Sequence, residues 1–405
     1  MKSKLIALAI FAATAAAVAL YPAYHSIGAA KPPVDPVGVD LPPVDPLTNQ
    51  RPLVEVVFAL DTTGSMSGLI QAAKEKIWSI ATTLAQAQPA PEIRMGLVAY
   101  RDRGDDYVTR VVDLSDDLDT LYATLMDFRA DGGGDGPESV NQALYDAVHR
   151  ISWSTQEQAY RVLFLVGDAP AHMDYQDDVK YPVTLAAAAE KGIVVNAVQC
   201  GDSSSTTVEW RRVAQLGQGK YFQVEQGGSA VAIATPYDKG LAELSVQLDG
   251  TRLYYGSKEE KAEKQRKLDA TDKLHAASSV ASRARRAAFN ASESGALNLL
   301  GAGELVDEVT SGRVDLSAID REALPEPMQS MAPQAQQALI ETTAKRREEL
   351  KAQIRQLSEE RDAYLKQKVE AAGGAKDSLD DKIYSTVREQ AGKKGMVYEM
   401  DAPSY

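Results

Sequence analysis

From Val54 onward, short apolar runs alternate with longer amphipathic stretches. Val54–Leu60 is apolar except for Glu55 and reads as a buried strand. Leu69–Ala87 follows as a helix, then Arg94–Tyr100 and Val108–Leu114 as two strands in close succession. Asp116–Arg129 and Ser139–Ile151 read as helices, Arg161–Val166 as a strand, Val183–Lys191 as a helix and Ile193–Gln199 as a strand. Thr207–Leu216 is a helix, Tyr221–Val224 a last strand, and Val231–Leu248 a closing helix. Strands alternating with helices predict parallel pairing with helices on both faces. The short link between the second and third strands predicts one antiparallel edge. Residues 53–250 are therefore expected to form one doubly wound, Rossmann-like α/β domain with a mostly parallel sheet.

The pattern changes on either side of this block. Lys2 and Lys4 precede an apolar run, Leu5–Leu20, a break at Tyr21-Pro22 and a small-residue exit at Gly28-Ala29-Ala30. That order predicts a secretory signal peptide over residues 1–30, cleaved after Ala30. The alternative is a retained signal anchor through residues 5–20, slightly shorter than the roughly 20 residues a spanning helix needs. Cleavage places the protein in the periplasm or outside the cell; retention tethers it to the inner membrane, facing outward. Residues 31–52 contain PPVDP twice and read as a stiff, extended linker. Residues 251–405 read as a charged, largely α-helical region. Lys258–Ala288 is Ala-rich, Gly295–Val306 is apolar, Gln334–Ala371 has no Gly or Pro, and Leu379–Ala391 is amphipathic. Leu350, Ile354, Leu357 and Tyr364 keep a helical spacing that Arg361 interrupts. A coiled coil, an antiparallel helical pair and an arm packed on the α/β domain all fit this pattern, and homo-oligomerisation through these helices stays open. Mixed-sign charge on such helices ordinarily marks solvated faces.

Charge narrows the functional classes. The 405 residues carry 44 Lys+Arg and 57 Asp+Glu, a net −13. Residues 51–250 hold 16 basic and 28 acidic residues, so nearly all of the excess lies on the α/β block. Such a surface repels a phosphate backbone and argues against nucleic acid as a partner. The single cysteine, Cys200, excludes an intramolecular disulfide and a Cys-based zinc cluster.

In a doubly wound sheet, ligands sit beyond the carboxyl ends of the strands at a topological switch point. Three predicted loops at those ends are rich in oxygen donors. Asp61, Thr63 and Ser65 lie at i, i+2 and i+4 directly after the first strand. Asp131-Gly-Gly-Gly-Asp135-Gly-Pro-Glu138 precedes the helix at Ser139, and Gly167-Asp168-Ala-Pro170 follows the strand at Arg161–Val166. Carboxylates and hydroxyls suit a hard divalent cation. Clustered carboxylates without one would repel and raise each other's pKa values.

The stretch DTTGSMSG at 61–68 resembles the metal-ion-dependent adhesion site (MIDAS) of von Willebrand factor type A (VWA) domains, in the form Asp-x-Thr-x-Ser. GGGDGPE at 132–138, VGDAPAH at 166–172, NAVQCGD at 196–202 and the run from Thr207 to Phe222 are similar to a VWA subgroup that begins with DTTGSM. The resemblance covers residues 53–250. It implies metal ligands at Asp61, Thr63, Ser65 and Asp168, with Asp135 standing where the family more often has threonine; Glu138 is a weaker candidate, for contacts behind the ligands. It implies Mg²⁺, with Mn²⁺ or Ca²⁺ as alternatives, and a protein partner whose Asp or Glu completes the coordination shell. Within the C-terminal region, LPEPMQSM and KRREELKAQIRQLSEERDAYL are similar to tails of bacterial VWA proteins, which adds no mechanism.

Other motifs point to ordinary structure. GGGDG lacks the Lys-Ser/Thr of a P-loop. Asp174, Asp177 and Asp178 lack the spacing of an EF-hand. Arg103-Gly104-Asp105 reads as a charged turn, Cys200 as a buried thiol and His172 as a polar loop residue that could approach the metal site. No Ser/His/Asp or Cys/His set can be assembled, so binding is expected rather than turnover, with a metal-dependent hydrolase or a helical scaffold with a structural metal as the rival readings.

Overall fold

The computed structural model describes residues 51–134, 136–226, 233–371 and 379–398. The expected signal segment and nearly all of the linker lie outside these residues, as does Asp135. The strands are β1 (Leu53–Asp61), β2 (Glu92–Tyr100), β3 (Thr109–Ser115), β4 (Tyr160–Gly167), β5 (Ile193–Cys200) and β6 (Gln218–Val224). They form one sheet in the order β3-β2-β1-β4-β5-β6. All neighbours are parallel except β2 and β3, which run antiparallel. The expected antiparallel edge is therefore β3. The strand order reverses direction between β1 and β4, so the switch point lies at the carboxyl ends of these two central strands.

Every residue of β1 is buried. Alternation along the strand sends Val54, Val56, Phe58 and Leu60 into one core layer and Val57 and Ala59 into the other. The second layer is covered by α3 (Val140–His149), α4 (Tyr181–Glu190) and α5 (Ser204–Leu216), through Leu144, Leu185 and Trp210. The first layer is covered by α1 (Ser67–Ala85) and α2 (Leu118–Asp127), through Trp78, Leu84 and Tyr122. Ile383, Tyr384 and Val387 from the far end of the chain join the same layer.

The remaining helices are α6 (Asp238–Asp249), α7 (Lys258–Ala277), α8 (Val280–Ala291), α9 (Ala296–Leu300), α10 (Leu305–Thr310), α11 (Glu326–Gln329), α12 (Pro333–Ala371) and α13 (Leu379–Gly392). The single stretch expected over Lys258–Ala288 is two helices. Ser279 is the reason: its side chain accepts from the Ser282 N–H and caps a new helix. Helix α7 packs on α2, α8 on α1 and α6, and α12 on α6, α8 and α10. Helix α13 returns to α1 and β6. There Tyr160 donates to Gln390 Oε1 at 2.8 Å, and Gln390 Nε2 donates to Asn196 Oδ1 at 2.9 Å. Val397 then exchanges both backbone hydrogen bonds with Gln88, at 2.8 and 3.0 Å.

The charged helices are not solvated on every face. Arg286 of α8 is fully buried and bridges Asp119 of α2 and Asp249 of α6, both through 2.7 Å bonds. Arg347 of α12 forks onto Glu304 with two 2.9 Å bonds. Arg361, the apparent break in the α12 stripe, donates to Asp238 at 2.8 Å. A charge inside an apolar stripe is therefore a buried pair on the face that meets α6. Among the described residues, no helix is long and apolar enough to cross a membrane.

Candidate metal centre

Three loops meet beyond β1 and β4, and backbone hydrogen bonds join them. Gly64 N–H donates to Gly132 at 3.1 Å and Asp131 N–H to Thr62 at 3.1 Å, joining the first loop to the second. Glu138 N–H donates to Pro170 at 2.9 Å and His172 N–H to Glu138 at 3.0 Å, joining the second to the third. Helix α5 holds the third loop from behind: Thr206 Oγ1 donates to the Asp168 carbonyl at 2.9 Å and Trp210 Nε1 to that of Ala169 at 3.1 Å. Two glycines allow the approach. A Cβ on Gly167 would fall 2.4 Å from the Tyr100 hydroxyl and 3.0 Å from Asp61 Cβ. Gly133, at φ 76°, leaves no room for a Cβ, which would fall 2.9 Å from Thr63 Cβ and 3.1 Å from Glu138 Oε1.

The first loop separates its two threonines. Thr62 Oγ1 bonds backward to the Tyr100 carbonyl at 2.9 Å and the Tyr107 hydroxyl at 2.7 Å. Thr63 Oγ1 donates to Asp61 Oδ1 at 2.6 Å, joined by the Thr63 N–H at 2.9 Å, and lies 3.3 Å from Ser65 Oγ. Asp61 is buried, and its Oδ2 has no hydrogen-bond partner. Burial pushes its pKa up to about 7 against the pull of the Thr63 bonds, and the charge of Asp168 adds to the rise. Asp168 Oδ2 accepts from Gln226 Nε2 at 2.6 Å, and the same amide reaches the Ser65 carbonyl at 3.3 Å.

Glu138, the weaker candidate of the sequence pattern, lies close to the first loop, and Gln226 is a residue the pattern did not give. Glu138 is 4% exposed, its Oε2 has no partner, and burial with the charges of Asp61, Asp102, Asp105 and Asp168 lifts its pKa to about 9. Gln226, two residues past the end of β6, carries no local signal. The charged turn is structural: Arg103 forks onto Asp177 and Asp178 across the Tyr175 ring, and Asp105 accepts from the Gly133 N–H at 3.1 Å. His172 bonds Asp174 through Nδ1 at 2.8 Å and stacks on Tyr175 at 4.0 Å. Cys200 is buried, and burial holds its thiol well above the ordinary range.

The donor chemistry fits a hard divalent ion. Asp61, Thr63, Ser65 and Asp168 present oxygen alone, two buried carboxylate oxygens of the neighbourhood are unpartnered, and the anionic forms are disfavoured without a counter-charge. Among the described residues, no three His, Cys, Asp or Glu side chains close around one point. The hydroxyls of Thr63 and Ser65 complete the donor set of the first loop.

No curated protein sequence matches this chain. The chain is similar to structures of proximal thread matrix protein 1 from the mussel byssus, with TM-scores of 0.34–0.35 and 13–15% identity. The likeness covers 44% of this chain and 42–43% of that one, and one of these structures has a zinc-occupied MIDAS motif. The family model for the von Willebrand factor A domain matches residues 55–236. With a six-stranded sheet of this order and its three loops at the switch point, residues 55–236 of this chain form a von Willebrand factor A domain.

Proposed function

We propose that the protein is a divalent-cation-dependent protein-binding module. The observation that carries this is the Asp61–Thr63–Ser65 loop, its free carboxylate oxygen placed at the switch point near the charge of Asp168 in a VWA domain. Asp61, Thr63, Ser65 and Asp168 would hold Mg²⁺, Mn²⁺ or Ca²⁺, with Asp135 available from the second loop. A cation held by two chain carboxylates is neutralised and still accepts an oxygen from a partner, for which the sequence suggests Asp or Glu. The acidic surface of residues 51–250 favours basic or mixed partner surfaces around that oxygen. We read the chain as exported, into the periplasm or beyond it, or tethered outward through residues 5–20; the order of charged, apolar and small residues in 1–30 supports this.

The test is capture from an envelope fraction with Mg²⁺ or with chelator. Partners retained with Mg²⁺, and lost with chelator or in Asp61→Ala, are the expected result. An identical set in all three samples would sink the reading. A second reading is a scaffold whose metal only stabilises the domain, supported by the packing of α7, α8, α12 and α13 into one body with the sheet. On that reading, chelation lowers the melting temperature and leaves capture unchanged.

A further inference from the structure

Helices α1, α8 and α12 surround a cavity of about 30 Å³. Ser79 and Gln86 line it from the end of α1, Arg285 from α8, and Ser358 and Arg361 from α12. Three of these side chains carry a buried polar atom without a partner: Gln86 Oε1, Ser358 Oγ and Arg361 Nη2. A serine inside a helix commonly donates to the carbonyl one turn back; Ser358 does not. Arg361 gives Nε to Asp238 at 2.8 Å and holds Nη1 3.8 Å from Asp362, so Nη2 is the part of the guanidinium left over. A buried donor without an acceptor is costly, and more so when it carries charge. The Gln86 amide, turned by half a rotation, presents its NH₂ in place of its oxygen.

The same lining gathers positive charge. Arg285 and Arg361 are both buried, and Arg285 holds its Nη1 on the neutral Glu75 carbonyl at 3.4 Å. Asp238 offsets the Arg361 guanidinium from outside the lining. Asp362 is the one carboxylate among the described lining residues, and its side chain is 49% exposed, so solvent screens it. We infer that this cavity is a binding site for a single halide ion, chloride at ordinary salt. The buried guanidinium nitrogen asks its occupant for both an acceptor and a negative charge, and water brings only the first. A space of this size takes one small ion and leaves no room for a phosphate. The ion ties α12 to the end of α1, the helix into which the Asp61–Ser65 loop leads. The site is separate from the metal centre and does not depend on it.

The experiment is a bromide soak of crystals of the full chain, read by anomalous scattering, joined to differential scanning fluorimetry in sodium chloride and in sodium gluconate of equal ionic strength. An anomalous peak beside Arg361 Nη2 and Ser358 Oγ is expected. Ser358→Val fills the space and removes a hydroxyl while leaving the Arg361–Asp238 pair in place; Gln86→Leu is a second filling variant that leaves α12 untouched. Circular dichroism checks that each is folded. Exchange of gluconate for chloride is expected to raise the Tm of wild type by about 2 °C more than that of either variant, as for a ligand present well above its Kd. Density in the cavity that refines as water, with no bromide peak, overturns the assignment. A response to chloride that is the same in wild type and in the folded variants overturns it as well.

Discussion

Asp61 carries opposite demands on its two oxygens: Oδ1 accepts two bonds from Thr63, and Oδ2 accepts none. Asp61→Asn replaces a buried carboxylate whose charge is disfavoured. In chelator its melting temperature should therefore exceed that of wild type, while the rise produced by Mg²⁺ in wild type should vanish; differential scanning fluorimetry reads both. Gln226 acts from the outside. Its amide donates to Asp168 Oδ2, so an ion that takes this oxygen competes with the amide. Gln226→Ala should tighten Mg²⁺ binding about fivefold, a fraction of the roughly 1–3 kcal/mol that a bond to a charged group is worth; a weaker Kd by calorimetry would mean that the amide oxygen helps hold the ion instead. The sequence shows Asp61, Thr63 and Ser65 clearly because their alternation lies within five residues of one loop. Glu138 and Gln226 owe their roles to partners far along the chain, Pro170 with His172 and Asp168. No local spacing encodes those meetings.

Strands and helices differ in how they could be recognised. β1, β2, β4 and β5 are legible because buried central strands are nearly continuous apolar runs. The break at Ser278-Ser279 was also encoded, as a capping serine inside an otherwise uniform Ala-rich stretch. The clasps between helices were not, because Arg286, Arg347 and Arg361 look like ordinary solvent-facing charges until their partners are known. Asp119 lies 167 residues before Arg286. Arg286→Ala would leave Asp119 and Asp249 buried with their main counter-charge gone, at a cost of about 3–5 kcal/mol near neutral pH. Burial alone would raise both carboxyl groups, but the Arg286 guanidinium carries both below the usual aspartate range. Their contribution to stability is thus full above the unfolded aspartate pKa of about 3.9 and is lost as pH falls through the depressed folded values. The difference between wild type and Arg286→Ala should shrink below about pH 4, as measured by urea unfolding at pH 7 and pH 3.5.

The α/β block and the helical region read from sequence as separate segments, yet residues from both build one core. Phe289 of α8 packs 6.0 Å from Trp78 of α1, and Tyr384 and Val387 of α13 lie in the same cluster as Phe58 and Phe164. Residues 51–398 should therefore melt in one transition, and a fragment ending at Gly250 should lose cooperative melting altogether; calorimetry showing two independent transitions would contradict this. The return of α13 to the sheet has a consequence for synthesis. About 150 residues separate Val224 at the end of β6 from Leu379, and at roughly 5–20 residues per second the ribosome needs about eight to thirty seconds to supply them. For that interval all six strands have been synthesised, but the apolar surface that Ile383, Tyr384 and Val387 cover in the finished fold is bare. The nascent chain thus carries an exposed hydrophobic face through more than a third of its elongation, which makes it a natural client for holding chaperones before the helix at Leu379 arrives.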